Sequence, residues 1–185
     1  MLGVAGAVAG LGTYGAFTDT GRVTTSVQSA RVDVNVAIPS GASASMSASN
    51  FLPGDSMTRA LDVVNNGSVS LSAVTLTVTA NTANALVTDT TDGLQLSVRR
   101  CSQAWTWNGS SSAPAYTCAG TEDTVHSGSV RGATTLSTPG SAAPNGRDHL
   151  VFTLAMPTTA GNSFQGLGAV VTLTFTGTQL SGTPR

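Results

Sequence analysis

Any general base or metal centre in this 185-residue chain must be built around two imidazoles, His126 and His149. Neither belongs to an H-E-x-x-H pair, the spacing that sets two zinc ligands and a general-base glutamate on one helix face. No carboxylate lies at a helical spacing from His149. Asp148-His149 stands at the entrance of a strand-like run and reads as a surface turn. No G-x-S-x-G elbow lifts a serine out as a nucleophile. Asp89-Thr-Thr-Asp92-Gly93 resembles the opening of a calcium loop but lacks the later bidentate glutamate. Glycine-rich stretches abound, yet lysine is absent, so none is a phosphate-binding loop with its lysine. Asn66-Gly-Ser and Asn108-Gly-Ser fit the glycosylation pattern, a match that chance supplies in a chain so rich in Ser and Thr. The residues therefore call for no catalytic group, no metal and no cofactor.

The elements that would position any such group are strands. Charged residues make up 9%, well below the usual ~25%. All eight cationic residues are arginine, and Glu122 is the only glutamate. A chain so poor in Glu, Lys and Gln lacks the residues that fill exposed helix faces. Thr and Val, which favour pleated strands, are abundant instead. The net charge of −1 gives no sign of the basic face that nucleic acid normally requires, and no nucleic-acid partner is expected. Without a lysine nucleophile, neither sortase-assembled pili nor Lys–Asn isopeptide bonds are possible.

Met1 to Gly15 is apolar and uncharged, and Ala16 to Thr20 turns abruptly polar. This is the layout of a secretory signal peptide, with Thr13 and Gly15 at the small positions and cleavage between Gly15 and Ala16. The run is shorter than the ~20 apolar residues a membrane span needs. The expected product is secreted, to the extracellular matrix or cell surface, with no stable membrane span after processing. A positive n-region is missing, and the competing reading is an N-terminal strand that is never removed. With export, Cys101 and Cys118, the only cysteines, are expected to form one disulfide. Two buried free thiols are the alternative. A zinc pair is disfavoured, because two cysteines and two scattered histidines make no recognised four-ligand site.

Period-2 alternation is plain at Val32–Ile38, Leu61–Val63, Val74–Val78, Leu94–Val98, Leu150–Met156 and Val171–Phe175. Pro53-Gly54-Asp55, Asn65-Asn66-Gly67, Asp92-Gly93, Pro139-Gly140 and Asn145-Gly146 are turn signals between these runs. Short strands so separated predict an all-β sandwich, jelly roll or barrel. Helix is confined to weak candidates at Ser163–Leu167 and near Asn81–Leu86. Trp105, Trp107 and Tyr116 flank a loop inside the cysteine-bounded segment and predict a clipped hairpin. Gly128–Arg147 reads as a mobile connection and Gly177–Arg185 as a frayed end. The expected division is a leader at 1–15, an N-terminal arm at 16–28, a β-sandwich at 29–180 and a tail at 181–185.

Several short motifs, in order, resemble the TasA/camelysin family of exported bacterial proteins. GLGTYGAFTDT at Gly10–Thr20 is similar to that family's leader junction. Ser29-Ala30-Arg31-Val32-Asp33 resembles its first mature strand. Leu52-Pro53-Gly54-Asp55 and Val64-Asn65-Asn66-Gly67-Ser68 resemble its L-x-P-G-D and x-N-N-G-S turns. Phe164-Gln165-Gly166 resembles the Y-Q-G before its last strand. The likeness is poorest from Leu86 to Arg147, and the cysteine-clipped hairpin lies outside the pattern. The resemblance implies a jelly-roll-like antiparallel β-sandwich that builds extracellular biofilm-matrix fibres by donor-strand exchange. The mature N-terminus of one subunit would insert as a strand into the next. Partners would be further copies of the chain, an accessory subunit and a dedicated signal peptidase. Ala16, Phe17, Val23, Thr25 and Val27 would be the intersubunit residues, with Val23, Thr25 and Val27 on one face.

Two other functions compete with a fibre subunit. Camelysin-like members imply a metal-dependent surface protease, which would need His126, His149 and nearby aspartates as ligands. A monomeric surface adhesin would share the fold and differ only in assembly.

Overall fold

The structure is a computed structural model, and the residues it describes are 34–37, 45–49, 51–110 and 115–180. It is all-β. The strands in chain order are β1 (Val34–Ala37), β2 (Ser45–Ser49), β3 (Ser56–Asn65), β4 (Leu71–Ala80), β5 (Gln95–Cys101), β6 (Thr106–Trp107), β7 (Tyr116–Thr117), β8 (Glu122–Ser129), β9 (Gly132–Thr135), β10 (Arg147–Ala155) and β11 (Gly168–Gln179). The helical candidates shrink to single turns: α1 at Ala85–Thr88 and a 3₁₀ turn at Asn162–Phe164, with a further 3₁₀ turn at Gly140–Ala142.

One sheet runs β1-β3-β10-β5-β8 and the other β2-β11-β4-β9, all pairs being antiparallel. Strands β3-β10-β5-β8 and β2-β11-β4-β9 together have the order of an eight-stranded jelly roll. Strand β1 is an addition beside β3, and β6 pairs only with β7. The alternation in sequence puts Leu61, Val63, Leu96, Val98, Leu150, Phe152 and Leu154 of one sheet against Val74, Leu76, Val78, Val171 and Leu173 of the other. Leu86 and Val87 of α1 close the core at one side. The Thr residues between the buried positions of β4 face outward, as a two-sided strand requires.

The turn signals do their expected work. In Leu52-Pro53-Gly54-Asp55 the Asp55 N–H donates to the Leu52 carbonyl at 2.9 Å. Gly54 takes φ 93°, the left-handed conformation a type II turn needs after proline. The Asp55 carboxylate accepts the Leu52 N–H at 2.8 Å. In Asn65-Asn66-Gly67 the buried Asn65 amide accepts from Gly67 N–H at 2.9 Å and donates to the Val69 carbonyl at 3.0 Å.

Two expectations need correction. Gly128–Arg147 is not a mobile connection: it holds the end of β8, all of β9 and a 3₁₀ turn, with Val130, Leu136 and Ser141 buried. Its apolar anchors are single residues separated by Gly, Ser and Thr, so no periodicity marks them. Gly177–Gln179 is not frayed but continues β11, where the Ser72 hydroxyl donates to the Thr178 carbonyl at 3.1 Å. Strands β8 and β9 carry no apolar alternation, and β2 has only Met46 and Ala48 between serines, too short a run to mark a strand.

Candidate functional site at an uncovered sheet edge

Cys101 at the end of β5 is bonded to Cys118 just after β7, with Cα atoms 5.7 Å apart. The predicted arm residues Ala16, Phe17, Val23, Thr25 and Val27, and the Gly15–Ala16 junction, lie outside the described residues.

The two histidines are not brought together. His149 on β10 stands opposite Cys101 of β5, and His126 on β8 stands opposite Val98. Val98 faces the core, so His126 sits on the inner face, where Nδ1 lies 3.2 Å from the Thr134 hydroxyl and Nε2 lies 3.2 Å from the Ser129 carbonyl. His149 alternates with the inward Leu150 and sits on the outer face, with Nδ1 2.7 Å from Asp62, which also pairs with Arg147 at 2.8 Å. A strand and the thickness of the sheet separate the imidazoles. Among the described residues no group of three or more His, Cys, Asp or Glu side chains could hold a metal ion. The calcium-like loop is likewise closed on itself: Asp89 accepts from the Asp92 and Thr91 N–H groups, each at 2.9 Å. These bonds, that from Asp92 foremost, hold the Asp89 carboxyl below its ordinary range.

Asp148 is not on a surface turn. It is 2% exposed and points inward from β10. Its carboxylate accepts the Gly140 N–H at 2.8 Å and both the N–H and the hydroxyl of Ser141, and Arg100 lies 3.3 Å away. Arg100 in turn grips Asp123 through two bonds, at 3.0 and 2.9 Å. This network fastens the 3₁₀ turn to the sheets and is structural. Single-sequence reading missed it because Asp148 departs from the apolar pattern of its own strand.

What the two sheets leave open lies at their β1 and β2 side. Strand β2 covers only Gly168–Thr172 of β11. The Asn81 N–H donates to the Val170 carbonyl at 3.1 Å, and the Val170 N–H to the Asn81 side chain at 2.8 Å, so Val170 turns its backbone toward β4. Alternation then turns the backbone groups of Leu173, Phe175 and Gly177 the other way, beyond the end of β2. Among the described residues no strand lies against that edge. Leu173 is buried and Phe175 half-buried against the core, so the edge has an apolar flank. The opposite sheet is similar: β1 covers Asp62–Asn65 of β3, and among the described residues no strand lies along Ser56–Leu61 on that side.

A comparison with protein families bears on this arrangement. The family model described as camelysin metallo-endopeptidase matches residues 1–108, which takes in β1 to β6. No curated protein matches the chain. The metal that the family's description implies finds no fitting ligand set among the described residues, since each histidine is engaged separately. The match spans more than half of the chain, and with the β-sandwich and the ordered turn motifs it establishes that this protein belongs to the TasA/camelysin family.

Proposed function

We propose that this chain is a secreted structural subunit of an extracellular fibre, joined to its neighbours by donation of the arm Ala16–Gln28. The observation that carries the reading is the edge of β11 at Leu173, Phe175 and Gly177, against which no strand lies among the described residues. An unpaired edge offers N–H and C=O groups to any extended segment that reaches it. Val23, Thr25 and Val27 repeat with the same period of two as those three edge residues and would extend the core beside Leu173 and Phe175. Donor and acceptor are different surfaces, so the contact is heterologous and propagates into a filament.

Chain length favours exchange between copies. Val34 stands opposite Asn65 and Gln179 opposite Leu71, so β1 begins at the end of the sandwich where β11 finishes. A donor in line with β2 and antiparallel to β11 would finish near Leu173, about 20 Å from that end. Residues 29–33 would have to return to Val34 across the same distance, about 20 Å at full extension. A neighbour's arm has no such constraint. Deleting Ala16–Gln28 from the mature protein is expected to leave soluble monomers in negative-stain images; long fibres from that truncation would contradict the proposal.

The family's description supports a second reading, a metal-dependent endopeptidase. Metal analysis with a chelator-sensitive casein assay tests it: stoichiometric zinc and EDTA-sensitive cleavage would establish it, and a metal-free, inactive protein would end it.

A further inference from the structure

The hairpin β6–β7 belongs to neither sheet of the jelly roll, and nothing from Ser102 to Gly120 carries a charge. It presents Trp107, 48% exposed, opposite the half-buried Tyr116. Their ring centroids are 5.1 Å apart at 72°, an edge-to-face pair. Asn108 beside them donates to the Thr117 hydroxyl at 2.6 Å. The base of the hairpin is fastened three ways: by Cys101–Cys118, by the Trp105 indole N–H donating to the His149 carbonyl at 3.0 Å, and by Arg99 over the Trp105 ring at 5.3 Å. So much anchoring for so short a ribbon holds the outer aromatic pair in a fixed position.

We propose that this hairpin is a binding platform for a neutral polysaccharide. The face of Trp107 lies against the C–H face of a pyranose ring, Tyr116 walls one side, and the amide and hydroxyl of Asn108 and Thr117 meet the sugar hydroxyls. The match is one of chemistry: an amphipathic, uncharged ligand against flat rings bordered by neutral hydrogen-bonding groups. Single-stranded nucleic acid also stacks on aromatics but needs a cationic groove, which this stretch lacks. A stable protein partner needs about 800 Å² per side. Two rings offer at most about 500 Å².

The full-length protein, titrated with cellohexaose and with laminarihexaose and followed by tryptophan emission, is expected to give a saturable change with at least one of them. Trp107→Ala should weaken that binding at least tenfold with an unchanged melting temperature, and Trp107→Phe should restore part of it. No binding to either glucan, equal binding by Trp107→Ala, or binding only to anionic polygalacturonate would each overturn the proposal. Loss of fibres in Trp107→Ala with glucan binding intact would instead assign the ring to a subunit contact and overturn it as well.

Discussion

Asp148 shows what a single side chain contributes here. Its carboxylate ties Gly140, Ser141 and Arg100 to one point inside the sandwich. A buried charge that loses its partner costs far more than a surface pair is worth. Asp148→Ala would leave two N–H groups unpaired and Arg100 with only Asp123 and the Thr138 carbonyl, a loss of about 3 kcal/mol. Urea denaturation measures it, and a loss under about 1 kcal/mol would show the turn to be held by packing instead. The Asp148-His149 dipeptide suggests a turn by composition alone. Only its place, inward on β10 above the 3₁₀ turn, gives it this role.

At the scale of elements, the clipped hairpin was legible and β9 was not. Trp107 and Tyr116 lie in short strand-like runs between two cysteines, so pairing and bridge were legible from spacing once export was expected. Strand β9 is Gly-Ala-Thr-Thr with no apolar residue beyond alanine, and it exists because β4 offers Thr75–Val78 an edge to pair with. Opening the bridge with Cys101→Ser and Cys118→Ser is expected to cost about 3 kcal/mol on the chain-entropy estimate. A melting scan with and without reductant checks it: the wild type under reductant should fall to the level of the double variant, which should not respond.

At the scale of the whole molecule, the jelly roll closes on its core, and among the described residues one side is only partly paired. Strands β1 and β2 each cover less than half of the long strand beside them. If the arm fills the gap of a neighbour, Val23→Asp with Val27→Asp should leave the monomer's melting temperature unchanged. The same change should abolish fibres and shorten those of the wild type when mixed in. Fibres of ordinary length from the double variant, in electron micrographs, would place the contact elsewhere.

The amino-acid sequence by itself determined the all-β class, the places of the core strands β3, β4, β5, β10 and β11, the turns at Gly54 and Asn65, and the hairpin. Each of these rests on local rules of period two, backbone freedom and cysteine spacing, which residues close in the chain satisfy together. The tertiary structure decided which strands are neighbours, which edges lack a partner among the described residues, that His126 and His149 fall on opposite faces of one sheet, and that Asp148 is buried. Those outcomes depend on pairing between segments far apart in the chain, such as β3 with β10, and no local pattern of residues encodes the partner of a strand.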